Sequence, residues 1–174
     1  GSGWRTATTT LGSITATGNE GMAVAYNASG TRAFFAASNG TGATLATKQW
    51  SATSTSFSAT TTITTSTRIT WVDLAGDPAN SSNMVACYSD LTTPNLGVSR
   101  WTGAAWSANT NLSTAGNSSS GKYFSCVFET KASTTANRRI LVPYSNTTAA
   151  QYREWNGAAW FAQATLANIG RSWT

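Results

Sequence analysis

The chain has 174 residues, 40% of them hydrophobic but only 10% charged, with eight Trp, no His and a formal charge of +5. A single domain is the expectation at this length, and the lack of His excludes His-based triads, His metal ligands and a histidine pH switch. Leu, Ile and Met are scarce, which disfavours a helical bundle, and no apolar run approaches the ~18 residues of a membrane span, so no membrane insertion is expected.

In chain order, residues 1–18 read as a strand of an incomplete unit, with Trp4 in GWRTATTTLGS at its tail. Residues 19–66 form a first unit: GMAVAYNA, the turn NASG, TRAFFAASN, then TKQWSATSTSFS. The Ser/Thr-rich tract 51–67 alternates around Phe57 and Ile63, which predicts an outer strand plus loop, not disorder. Residues 67–120 repeat the order: RITWVDLA, GDPANSSN, NMVACYSD and VSRWTGAAWSANTNLST. Residues 121–170 repeat it again: KYFSCVFE, TKASTTAN, RRILVPYSN and YREWNGAAWFAQATLAN. Residues 171–174 would start a further strand. Pro143 is awkward in a central strand and is expected at an edge or a bulge.

The tryptophans carry the repeat. Trp101 and Trp106 recur as Trp155 and Trp160, 54 residues on, and Trp50 reads as a degenerate copy, 56 residues before Trp106. Gly103 and Gly157 sit in the intervening turns, where positive φ is needed, so the flanking tryptophans should stand on paired strands of one hairpin. Four short strands per unit at this period predict an all-β, β-propeller-type array of about three four-stranded antiparallel blades. A lone four-stranded sheet has two apolar faces and covers neither. Burying one large apolar side chain is worth roughly 1.5–3 kcal/mol, so blade-on-blade packing of indoles should dominate. A parallel β-helix has shorter rungs, and a β-sandwich does not need copied WxGxxW units.

Chemistry-bearing residues are few. The acids are Glu20, Asp73, Asp77, Asp90, Glu129 and Glu154, and nothing in the sequence pairs Glu129 with Glu154. Asp73 and Asp77-Pro78 lack the alternating ligands of a calcium loop and read as a turn. Phosphate loops, nucleophile elbows and CxxC pairs are absent. No catalytic residue, metal site or cofactor is therefore expected. The eleven basic residues are scattered, with only Arg138 and Arg139 adjacent, so nucleic acid is not an expected partner. Cys87 and Cys126 lie in apolar strands, either as two buried thiols or as a disulfide. Arg100 and Arg153, beside Trp, are candidates for stacking on indoles.

On these residues, the repeats resemble the β-propeller repeats of large secreted bacterial surface proteins. Those follow a V-x-Y/F-E strand, an A-L-V-x-Y strand and Y-R-x-W-[DN]-G-x-x-W, and RITWVDLAGDP from Arg68 is similar to the opening of such a repeat. The resemblance spans most of 19–170 and implies a secreted or cell-surface location with an architectural or adhesive role. A second likeness is to six-bladed fucose-binding lectins, with R-E-x-x-W-[DN]-G-x-G-W. It implies a carbohydrate site at Arg139, Glu154, Trp155 and Trp160. The place of Glu154 holds Arg100 or Ser99 in the second unit and Gln49 or Lys48 in the first, so at most one such site per chain is expected. Three blades do not close a ring, since propellers typically have four to eight. The expected partners are copies of the chain or a longer array, with glycans as the alternative. The function expected is assembly or adhesion without catalysis.

Overall fold

The computed structural model describes residues 20–39, 42–90, 95–115, 121–130, 138–146 and 149–166. The strands expected in 1–18 and 171–174 lie outside these residues, as does most of the TKASTTAN turn. The described residues form strands and turns without helix.

β1 (Met22–Tyr26), β2 (Arg32–Ser38) and β3 (Thr44–Ser51) make the first antiparallel sheet. Its outer place is shared by β4 (Ser56–Phe57) and β5 (Thr61–Thr64), both paired with β3, so the Ser/Thr-rich tract supplies an outer strand in two pieces. The second sheet runs β6 (Ile69–Gly76), β7 (Asn83–Asp90), β8 (Leu96–Thr102) and β9 (Thr110–Ser113). The third runs β10 (Val127–Phe128), β11 (Ile140–Ser145), β12 (Ala150–Trp155) and β13 (Ala164–Thr165). Each sheet draws its strands, in order, from one continuous stretch of chain.

The registers are the same in all three. Ser38, Ser89 and Ser145 lie opposite Leu45, Leu96 and Ala150, while Ala33, Met84 and Ile140 lie opposite Trp50, Trp101 and Trp155. Trp50 is therefore the equivalent of Trp101, not of Trp106 as its spacing predicts. Phe57, paired with Trp50, stands where Trp106 and Trp160 bridge back to Trp101 and Trp155. The reason is the turn. Gly103 and Gly157 take φ of 96° and 99°, whereas the longer first-sheet turn has no glycine and puts Thr55 at φ 51°, which a β-branched residue rarely adopts.

The sheets stack face to face in an array of the β-propeller type. Across the first seam, Phe34, Ala36, Leu45 and Ile63 of the first sheet pack on Val72, Leu74, Met84, Ala86, Tyr88 and Trp101 of the second. Across the second seam, Val85, Cys87, Leu96, Val98 and Leu112 pack on Phe124, Cys126, Phe128, Ile140, Val142 and Tyr144 of the third. Alternation along each strand feeds one seam from odd positions and the other from even ones.

Pro143 is not on an edge strand. It lies in β11, the second of four, opposite Tyr152. Ser125 donates its N–H to the Pro143 carbonyl at 3.1 Å, and proline has no N–H to return. The first strand of the third sheet is correspondingly broken: Phe124 makes an isolated bridge to Tyr144, and regular pairing resumes only at Val127.

Candidate functional site

The chemistry of this chain is concentrated at its sheet faces. At the first seam the polar contacts are neutral apart from the buried Asp90, which accepts from Ser66 Oγ at 3.3 Å. Trp106 Nε1 donates to Thr47 Oγ1 at 2.8 Å, Ser38 Oγ donates to the Ile69 carbonyl at 2.8 Å, and Asn27 Nδ2 donates to the Ser81 carbonyl at 3.2 Å. Phe34 meets Trp101 and Trp106 edge-on at 5.7 and 6.3 Å.

At the second seam the fasteners are charged. Asp73, on β6, accepts from the Cys126 N–H at 3.1 Å and from Ser125 Oγ at 2.9 Å, and pairs with Lys122 at 3.3 Å. The carboxylate thus takes up an N–H that faces away from β11, on the open edge of the third sheet's first strand. Asp77 is fully buried in the turn after β6. Its Oδ1 accepts from the N–H groups of Ala79 and Asn80 at 2.9 and 3.2 Å, and it lies 3.1 Å from Nε of the buried Arg138, two residues before β11 of the third sheet. The turn expected there is present, but Asp73 belongs to a strand, and both acids tie the second sheet to the third. Sequence reasoning missed this role. The available signal was that two of only six acids fall on one strand and its turn in a basic chain.

The cysteines are both free and buried. They meet in this seam, where burial, and then the hydrogen bond to Cys126, push the Cys87 thiol well above its ordinary pKa. Burial likewise raises the phenol of Tyr123. Arg100 stacks 3.6 Å over the ring of Trp155, in the next sheet, and not on its neighbour Trp101; desolvation lowers its pKa. A cleft of about 140 Å³ opens beside this stack, lined by Asn83, Arg100, Arg138 and Trp155 among others.

The four residues of the carbohydrate expectation fall into two pairs. Trp155 and Trp160 meet at 5.6 Å and pack on the second-seam core. Arg139 Nη1 pairs with Glu154 Oε1 at 3.0 Å. Adjacent strand residues point to opposite faces, and Glu154 pairs in register with the exposed Leu141, while Trp155 pairs with the buried Ile140. The Arg139–Glu154 pair therefore lies on the outer face of the third sheet, away from the indoles. The structural repeat residues do converge: Trp101–Trp106 and Trp155–Trp160 have the same 5.6 Å separation and similar tilts of 65° and 58°.

The end sheets differ from the seams. By register, Met22, Val24 and Tyr26 correspond to Val72, Leu74 and Gly76, and to Phe124, Cys126 and Phe128. Val72, Leu74, Phe124, Cys126 and Phe128 are buried, whereas Met22, Val24 and Tyr26 are 59%, 57% and 60% exposed. At the other end Leu141 corresponds to Val85 and Phe34, both buried, yet is 39% exposed.

One comparison bears on this arrangement. The K499G mutant of NanB sialidase from Streptococcus pneumoniae superposes with a TM-score of 0.52 over 75% of this chain at 12% identity. The likeness is one of fold. The chain spans 20% of that protein's length, so the sialidase supplies no residue roles here. No protein-family model and no curated protein matches the sequence.

Proposed function

We propose that the chain is a non-catalytic β-propeller repeat module of an extracellular surface, and that its work is self-assembly in an adhesive or structural layer. The observation that carries this reading is the mismatch at the ends. Positions that are buried wherever another sheet follows or precedes are apolar and exposed where none does. Contiguous apolar surface of this kind marks an interaction site, and a sheet identical in design to those within the chain is the surface that fits it. Low charge, 10% of residues, suits close packing of copies, because few ions need be desolvated on contact.

Light scattering on the purified chain tests the reading. A mass that is a multiple of 18.2 kDa at micromolar concentration is expected. A monomer at every concentration contradicts it, as does specific glycan binding abolished by Glu154→Ala, which would instead mark a lectin.

A further inference from the structure

We infer that two copies close into one six-blade ring head to tail, the outer face of the first sheet of each copy covering the outer face of the third sheet of the other. This rests on the self-assembly reading and adds to it which face meets which.

The two seams supply the template. In each, a tryptophan from the third strand of the later sheet packs toward the sheet before it: Trp101 beside Phe34 across the first seam, and Trp155 under Arg100 across the second. The residues that share that face of the earlier sheet, by register, are Arg32 and Gln49 for Trp101, and Asn83 and Arg100 for Trp155. The next pair in this series is Arg139 and Glu154, on the outer face of the third sheet, already joined at 3.0 Å and next to the exposed Leu141. The matching tryptophan is Trp50, which by register is the equivalent of Trp101 and Trp155 and lies on the outer face of the first sheet with Val24 and Tyr26. A second copy brings Trp50 onto the Arg139–Glu154 pair as Trp155 lies against Asn83 and Arg100, with the cation now supplied from the place of Asn83. It also brings Val24 to Leu141, as Leu74 shares the first core with Phe34 and Cys126 the second with Val85. Such a contact joins unlike faces, so it builds either a closed ring or an open filament. With three sheets among the described residues of each chain, two copies give six blades, and three would give nine, beyond the usual range of four to eight.

Val24→Asp and Leu141→Lys, both at exposed positions, test this, with Tyr26→Asp and Val127→Lys as the replacement pair should either variant lose its fold by circular dichroism. Wild-type chain is expected at two-copy mass and each single variant at one-copy mass. An equimolar mixture of the two variants is expected to regain the two-copy species, because one seam is then native and the other pairs Asp with Lys. Arg139→Ala is expected to raise the dissociation constant roughly 2- to 30-fold, the range for a lost cation–π contact. If wild type associates but only one variant breaks the association, or the mixture stays dissociated, the head-to-tail contact is wrong while self-assembly stands. Masses that grow with concentration overturn ring closure. A monomeric wild type overturns both.

Discussion

The two seams are built on one register and held by different chemistry. The first is mainly aromatic and holds no ion pair among the described residues, with Phe34 wedged against Trp101 and Trp106 and the indole N–H of Trp106 capped by Thr47. The second adds carboxylates, three cations and a pair of thiols to its apolar core. The repeat dictates where sheets touch, and each seam then satisfies its polar groups with whatever its own residues offer. The break at Pro143 shows the cost of drift between repeats, since proline has no N–H to return to Ser125; separately, Asp73 reaches across to take the edge-facing N–H of Cys126.

That contrast can be broken by substitution. The largest effect is expected for Asp77→Ala, which strands the buried Arg138 and strips a turn of its acceptor; removing one partner of a buried pair costs about 3–5 kcal/mol. Urea unfolding measures it, and a loss below about 1 kcal/mol would make the ion-paired seam no different from the first. Next is alkaline pH. Burial holds Cys87, Tyr123 and Tyr144 protonated in the second seam and Tyr88 in the first. The unfolded chain releases the thiol proton from about pH 9 and the phenol protons from about pH 10. It then binds fewer protons than the native state, so stability falls as pH rises through that range and is unaffected by these groups below it. Stability that stays flat from neutral pH to about pH 11 would contradict the burial of these groups.

Smaller changes sharpen the picture. Trp106→Phe keeps the ring packing of the first seam but removes the bond to Thr47, an expected loss of about 1 kcal/mol in the same unfolding assay. Thr55→Gly relieves a β-branched residue at φ 51° and is expected to stabilise by about 1 kcal/mol. A loss on that substitution would mean that the first-sheet turn does not do the work of Gly103 and Gly157.

Much of the fold was legible because the repeat is local. The WxGxxW turns, the first and second strands and the matched serines all sit within single units, where spacing alone reports them. The first sheet was harder to read. Its turn is two residues longer, lacks glycine and ends in Phe57 in place of a tryptophan, so counting back from Trp106 gives Trp50 the wrong equivalent. Packing of sheet on sheet was legible, but the polar partners across the seams were not. Asp73 finds Cys126 and Asp77 finds Arg138 in the next sheet, and no pattern within a unit encodes a partner more than fifty residues away. The same holds for Arg100, whose indole turned out to be Trp155 and not the adjacent Trp101. Period-two alternation places Glu154 and Trp155 on opposite faces once β12 is known, so the split of the expected carbohydrate quartet follows from strand geometry.

Hydroxyl-radical footprinting across a dilution series tests most directly whether equivalent positions demand equivalent cover. Met22, Tyr26 and Leu141 are expected to be shielded at high concentration and to become reactive on dilution, while Leu74 and Phe128 stay protected throughout. Oxidation of Met22 and Tyr26 at the same rate at every concentration would show that the end faces stand bare in solution, contrary to the cover proposed for them.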